Sequence, residues 1–195
     1  MIKYVAQEKL RPSGLIGITD NQINDHWNLY VGYVHNVNLL NEELKILTQS
    51  KTSNPLVTAD RRRRYGFEYN GMVLHEYYFG NLKAQSMGLD ATSKLYQAIK
   101  ETWGSFDVWQ EDFINTGKSR GIGWAILYMD PITKQLTNHF IMDHENGPIA
   151  GFAPILVMDV WEHAYMVDHK AGGRADYLKA CMANINWSTV QERYR

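Results

Sequence analysis

Residues 154–165 read PILVMDVWEHAY, and this stretch combines a structural boundary with two candidate metal ligands. The run PILVMDV is apolar and β-prone, so it predicts a buried strand. Asp159 stands where this strand ends, and His163 follows four residues later in a segment of helical character. A carboxylate and an imidazole at this spacing indicate a metal site. Taken alone, the pair also fits a helix cap and a partly buried histidine.

The chain before this stretch begins with two long helical patterns. Thr19 and Gln22 have capping-box spacing, with Asp20 as an alternative cap. Apolar residues then recur at helical intervals over residues 23–47, until SKTSNP breaks the pattern. A second helix is predicted over about residues 60–82. The two helices together predict an antiparallel helical hairpin.

The second half of the chain mixes helices with strands. One or two helices are expected after the hairpin, with Gly104 as an interruption. IGWAILYMD and QLTNHFIM read as strands joined by the turn PITK, and with the strand at residues 154–160 they predict an antiparallel three-stranded meander. Two further helices follow. The fold class is therefore α+β, with a helical-hairpin domain at residues 1–84, an α/β domain at 85–195 and the metal site between them.

Composition and charge exclude several classes of protein. The net charge is −1, which offers no global attraction to nucleic acid or to an anionic membrane. The basic run Arg61 to Arg64 indicates a salt-bridge strip or solvated helix face, with a local anion-binding patch as the alternative. Cys181 is the single cysteine, which favours a reducing, cytoplasmic location. No apolar run approaches the ~20 residues of a membrane span.

Two histidines in the hairpin extend the metal hypothesis. His26 lies on an aromatic stripe of the first helix, and His75 lies within the second helix. Each alone fits a core histidine, and the zinc-protease, Rossmann and P-loop patterns are missing. Two facing helices could nevertheless present one imidazole each toward Asp159 and His163. Three neutral nitrogens and one carboxylate oxygen suit Mn, Fe or Zn.

Several motifs together resemble one known family. DVWEHAY is similar to the C-terminal signature of the iron/manganese superoxide dismutases. RADYLKACMANINW, GIGWAILYMD and NGMVLHEYYF resemble further family elements in the expected order, and HWNLYVGYVHNVN does so more loosely. The resemblance implies an enzyme that converts superoxide to dioxygen and hydrogen peroxide by redox cycling of one Mn or Fe ion per subunit. It implies four ligands: His26, His75, Asp159 and His163.

The resemblance also implies roles for residues around the metal. Trp124 and Trp161 match aromatic residues that wall the site, and Phe79 stands where relatives often have tryptophan. In the family, a side chain hydrogen-bonds the metal-bound water, and Gly71 offers none at the helix position from which it can come. His144, in the loop after the second strand, is the predicted substitute.

Glu145 is the alternative to His144 in that loop, one residue further along. The gateway tyrosine of the pocket is likewise one of two candidates, both in the first helix.

The first helix departs from the family pattern. Relatives have a histidine four residues after the first ligand and a gateway tyrosine eight residues after it, whereas this chain has Tyr30 and Tyr33. One residue is missing, which predicts a helix without the π-bulge of relatives. Either tyrosine can serve as the gateway residue. Tyr30 is favoured because it lies one helical turn from His26 on the same face. Met166 replaces the tyrosine that in relatives reaches across the dimer, so that hydrogen bond is expected to be lost, with Tyr30 filling its space.

The resemblance implies a homodimer, with a tetramer as a further possibility. Glu162 is expected to face His163 of the other subunit across a two-fold axis, with Tyr30 at the same interface. Two other functions are compatible with the sequence: a non-catalytic or repurposed metal-binding member of the family, and an iron oxygenase with the same ligands. Iron and manganese are not distinguished by the ligand set.

Overall fold

A computed structural model describes residues 3–50, 52 and 54–195 of the chain. Helix α1 spans Asp20–Gln49, and helix α2 spans Pro55–Gly80. They pack against each other as the predicted hairpin. The α2 helix begins five residues before the predicted start, because Asn54 caps it and Pro55 occupies its first turn, where a missing N–H costs nothing.

Thr19 is the N-cap of α1, as predicted, since its side chain accepts a hydrogen bond from Gln22 N. The reciprocal half of the capping box is absent, because the Gln22 side chain instead donates to the His163 carbonyl at 2.7 Å. Asp20 accepts a hydrogen bond from Gly14 N rather than capping the helix. The N-terminal end of α1 is thereby connected to the segment that follows the last strand.

Two short helices separate the hairpin from the sheet. Helix α3 spans Lys94–Trp103 and α4 spans Phe106–Gly117. Gly104 ends α3 with φ of 85°, a conformation that L side chains rarely adopt, which confirms the predicted interruption. No helix in the described part of the chain is long and apolar enough to cross a membrane.

The sheet has three antiparallel strands: β1 at Gly123–Met129, β2 at Leu136–Met142 and β3 at Ala153–Asp159. Their order is β2-β1-β3, so the predicted meander was wrong. Every residue of β1 is buried, as expected of a central strand flanked on both edges. The register pairs Trp124 with Asp159, which places the end of β3 beside the start of β1.

The chain after the sheet is short and helical. A 3₁₀ turn spans Glu162–Ala164, and α5, α6 and α7 span Met166–His169, Arg174–Ala183 and Trp187–Arg193. One apolar core runs from α1 and α2 through the sheet to α7. The α+β architecture predicted from the sequence is confirmed. Its division into domains at residues 84 and 85 stays a prediction.

Candidate metal centre

Four side chains from four elements of the fold converge on one place. His26 comes from α1, His75 from α2, Asp159 from the end of β3 and His163 from the 3₁₀ turn; these four are called the ligand cluster. Their ligand atoms all lie within 4.8 Å of one another. The Oδ2 atom of Asp159 lies 3.1 Å from His26 Nε2, 3.2 Å from His163 Nε2 and 3.7 Å from His75 Nε2. The fold therefore brings together the four residues named from the sequence.

The hydrogen bonds of His75 show which of its nitrogens is free. Its Nδ1 lies 2.6 Å from the carbonyl oxygen of Gly71, which can only accept, so Nδ1 carries the proton. The lone pair on Nε2 then faces Asp159, and this buried atom has no hydrogen-bond partner among the described residues. A buried polar atom without a partner requires an explanation, and a metal ion supplies one. The ligand cluster thus fits Mn or Fe.

Burial and nearby charges set the protonation state of three members of the ligand cluster. Burial lowers the pKa of both His26 and His75, so both rings are neutral near pH 7. Burial alone would raise the pKa of Asp159, but the charge and hydrogen bond of His163, followed by those of His26, outweigh it and hold that pKa well below its usual range. Trp161 N donates to Asp159 Oδ1 at 2.8 Å and orients the carboxylate. The neutral imidazoles of His26 and His75 and the ionised carboxylate of Asp159 are ready ligands.

A hydrogen-bond chain runs beside the ligand cluster from Trp124 to Tyr33. Trp124 Nε1 donates to His144 Nδ1 at 3.0 Å, and since an indole nitrogen only donates, His144 Nδ1 is unprotonated. The proton of the neutral His144 ring is therefore on Nε2, which donates to the Tyr33 hydroxyl at 2.9 Å. Burial lowers the pKa of His144 to about 4, which keeps the ring neutral. Both hydrogen bonds therefore donate in the same direction, from Trp124 to His144 and from His144 to Tyr33.

The two loop candidates occupy different places. His144 is fully buried, and Asn70 Nδ2 donates to its carbonyl oxygen at 2.7 Å. Glu145 instead faces Arg63, with Oε1 3.4 Å from Nη1. Of the two residues, His144 is the one that lies beside the ligand cluster.

The two tyrosines of α1 also have different surroundings. The helix is α-helical throughout, without a π-bulge, as its sequence predicted. Tyr33 packs against His75, with ring centroids 5.1 Å apart, and its hydroxyl meets His144. A Cβ atom on Gly71 would lie 2.7 Å from the Tyr33 ring, so this ring occupies the space that Gly71 leaves.

Tyr30 is fully buried, and its hydroxyl points away from His144. It donates to Glu76 Oε1 at 2.8 Å and accepts from Gln7 N at 3.0 Å. Within the single chain Tyr30 has no exposed surface, and its expected place at a subunit interface stays a prediction. Gln7 of the N-terminal segment covers its hydroxyl. Geometry thus favours Tyr33 over Tyr30 as the pocket tyrosine.

Aromatic rings enclose the ligand cluster. Trp161 stacks on His144 at 5.0 Å and on His163 at 5.6 Å. Trp124 meets His75 edge-on at 5.0 Å, and Phe79 lies 5.1 Å from His26. These three rings lie where the sequence predicted pocket walls.

Three supporting residues escaped the sequence analysis. Tyr177 donates to the Asp159 carbonyl at 2.9 Å, the Tyr78 ring lies 5.0 Å from that of His26, and Glu76 accepts a hydrogen bond from Tyr30. The available signal was that Glu76 and Tyr78 stand in NGMVLHEYYF and Tyr177 in RADYLKACMANINW, both of which resemble family elements.

Comparisons with known proteins agree with this geometry. A model of the family described as iron/manganese superoxide dismutases, C-terminal domain, matches residues 91–193. The iron superoxide dismutase of Aquifex aeolicus is 34% identical over 200 residues, covering 98% of this chain and 91% of the relative. That of Cupriavidus metallidurans is 33% identical over 187 residues, covering 94% and 91%. A manganese superoxide dismutase of Haloarcula marismortui is 34% identical over 124 residues, covering 64% and 60%.

Proposed function

The chain belongs to the iron/manganese superoxide dismutase family, and from that premise we propose that its ligand cluster binds the one Mn or Fe ion at which superoxide is dismuted. The observation that carries this assignment is the unpartnered, fully buried Nε2 of His75, aimed at Asp159. Relatives with iron and with manganese both resemble the chain, so either metal is compatible.

The metal, when bound, supplies the one-electron redox chemistry that turns superoxide into dioxygen and hydrogen peroxide. His26, His75, His163 and Asp159 would hold it, and the negative charge of the carboxylate would lower the net charge of the site. The Gly71 carbonyl fixes the ring of His75, and the Tyr177 hydroxyl fixes the backbone of Asp159. Such supporting contacts set ligand orientation and basicity.

Peroxide formation needs protons, and the Tyr33 hydroxyl is placed to deliver one. Tyr33 accepts the Nε2 proton of His144, so its own hydroxyl hydrogen is free to donate into the pocket. Trp124 fixes the direction of this chain, because its indole nitrogen cannot accept. Burial raises the pKa of Tyr33, so the hydroxyl stays protonated and can act as a donor. Tyr33 and His144 are therefore assigned the proton-handling role.

A paired histidine design tests the assignment. His26→Ala is expected to lose stoichiometric metal and dismutase activity after reconstitution with Fe or with Mn, because a ligand is removed. His35→Ala changes an exposed histidine of the same helix and is expected to keep both. Metal is measured by elemental analysis, and activity by disappearance of superoxide. Full metal in His26→Ala, or no turnover by the wild-type protein with either metal, would contradict the proposal.

The region after β3 has the exposure expected of a dimer contact. Glu162 is exposed, the His163 side chain is 20% exposed and Met166 is 38% exposed. In the proposed homodimer, Glu162 of each subunit binds His163 of the other across a two-fold axis. A reciprocal pair of this kind would tie the metal site to assembly.

Glu162→Ala is therefore expected both to dissociate the dimer and to weaken metal binding. The control is Glu111→Ala, which changes an exposed glutamate of α4. Sedimentation velocity also separates dimer from tetramer. An unchanged assembly with full metal in Glu162→Ala would reject this contact.

We further propose a cytoplasmic location. Cys181 is a free, buried thiol, and burial raises its pKa to about 12, so it is an unreactive core residue that suits a reducing compartment. Cell fractionation with an antibody to the chain tests this. Recovery outside the cytoplasmic fraction would reject it.

A further inference from the structure

The arginine run at residues 61–64 has no part in the function described so far. Arg61 Nε lies 2.8 Å from Glu43, and Arg63 Nη1 lies 3.4 Å from Glu145. These ion pairs are exposed, and such pairs stabilise little. The salt-bridge strip predicted from the sequence is therefore confirmed for these two arginines.

Arg64 differs because it lies on the face of α2 that leads to the metal site. Residues 64, 67, 71 and 75 follow one another at helical spacing, so Arg64 precedes Gly71 and His75 on the same side. Its guanidinium carbon lies 4.3 Å from the Phe67 ring centroid. The Phe67 ring in turn lies 4.6 Å from His144 and 6.2 Å from Tyr33. Arg64 thus stands one ring outside the Tyr33–His144 pair.

A buried carboxylate fixes the orientation of Arg64. Arg64 Nη2 lies 2.5 Å from Glu68 Oε1, and Asn36 Nδ2 donates to Glu68 Oε2 at 3.1 Å. The Glu68 side chain is 2% exposed, whereas that of Arg64 is 47% exposed. An anion approaching from solvent therefore meets the positive end of this ion pair first, with the negative end beneath it.

The charge of Arg64 is felt at both pocket residues. Burial is the main cause of the low pKa of His144, and Arg64 lowers it further. Burial raises the pKa of Tyr33, and Arg64 opposes that rise. Glu68 and Asp159 act on Tyr33 in the opposite direction, so Arg64 is the positive charge that offsets them.

We propose that Arg64 is a substrate-guiding residue, which draws anionic superoxide along the Phe67 wall to the Tyr33–His144 mouth of the metal site. The inference rests on the proposed function, in which the reactant carries a negative charge. A positive charge at the mouth of a cleft raises the local concentration of an anion and thus its rate of association, and salt screens the effect. Arg64 acts mainly on kcat/KM through this attraction.

The chain offers a matched control on the same helix. Arg64→Gln and Arg62→Gln each remove one positive charge, at positions two residues apart on α2. Arg62 lies on the other side of α2, in a groove that Lys45 and Tyr65 also line. The two variants differ in the position of the lost charge and in the loss of the Glu68 partner by Arg64→Gln, so the salt dependence of kcat/KM and the Arg64→Lys variant carry the test.

The measurements are kcat/KM and kcat for superoxide by pulse radiolysis, at low and at high salt. At low salt, Arg64→Gln is expected to lower kcat/KM by about threefold to tenfold, and Arg62→Gln by less than about 1.5-fold. At about 0.5 M salt the three proteins should converge, and kcat should change by less than about twofold. Affinity for azide, a small anion, should fall by a similar factor in an optical titration of the iron-loaded protein.

Arg64→Lys distinguishes charge from packing, because it keeps the charge and loses the planar contact with Phe67. It is expected to keep at least about half of the wild-type kcat/KM and its salt dependence. The proposal is overturned if Arg64→Gln matches Arg62→Gln in salt dependence, or if Arg64→Lys falls as far as Arg64→Gln. Failure of the wild-type protein to dismute superoxide with either metal would instead refute the proposed function.

Discussion

Gly71→Ala is the substitution whose effect the structure specifies most closely. A Cβ atom on Gly71 would lie 2.7 Å from Cδ1 and Cε1 of Tyr33 and 3.1 Å from Cγ. This is about 0.7 Å short of the 3.4 Å at which ordinary contact begins. A partly buried ring that packs against His75 and bonds His144 cannot yield as a flexible chain end can. Tyr33 must therefore shift, and its 2.9 Å hydrogen bond with His144 lengthens or breaks.

The expected magnitude combines two opposing effects. Overpacking a well-filled interior costs about 1–3 kcal/mol. Replacing glycine by alanine inside a helix stabilises by about 0.5–1 kcal/mol, because the unfolded chain loses freedom. The net prediction for Gly71→Ala is a loss of roughly 0.5–2 kcal/mol in the free energy of unfolding, together with impaired turnover.

Gly66→Ala is the control, since a Cβ there meets nothing within 4 Å on the same helix. It should raise the free energy of unfolding by up to about 1 kcal/mol. Urea unfolding of the metal-free proteins measures both effects. In a Tyr33→Ala background there is no ring for the Cβ atom to meet. Gly71→Ala should then raise the free energy of unfolding as Gly66→Ala does, and a double-mutant cycle measures this difference. If Gly71→Ala were as stable as Gly66→Ala with Tyr33 present, the steric reasoning would be refuted.

Two further predictions concern buried groups near the site. Tyr30→Phe leaves Glu76 and Gln7 N without their hydroxyl partner, so urea unfolding should show a loss of about 1–2 kcal/mol; an unchanged midpoint would show that water replaces the hydroxyl. His144 has a folded pKa of about 4 against 6.5 for the unfolded chain, so the unfolded state takes up its proton first as the pH falls. The stability that neutral His144 contributes is therefore fully present above about pH 6.5 and lost toward pH 4. Relative to His144→Gln, the metal-free wild-type protein should lose up to about 1.4 kcal/mol per pH unit across that window, measured by urea unfolding at about pH 7 and pH 5. Parallel pH profiles for the two proteins would contradict this assignment.

Local patterns account for what could be predicted from the sequence. The helical hairpin follows from apolar residues at helical spacing, and the strands follow from short apolar runs between turns. The four members of the ligand cluster were identified because His26, His75 and DVWEHAY stand in the order and surroundings of a known family. Each of these features is recognised from a few neighbouring residues, so no knowledge of distant contacts was needed.

Contacts between distant segments decided the rest. The order β2-β1-β3 depends on which strands pair with which, and strands found one at a time in the sequence do not reveal their partners. Gln7 is 23 residues from Tyr30 and covers its hydroxyl, while His144 is 111 residues from Tyr33 and binds it. Periodicity along α1 placed both tyrosines near His26 but could not distinguish them, because their roles depend on what faces each hydroxyl. For the same physical reason, four consecutive arginines look alike in the sequence. Helical spacing puts Arg64 over Phe67, but only tertiary packing brings the Phe67 ring to within 4.6 Å of His144.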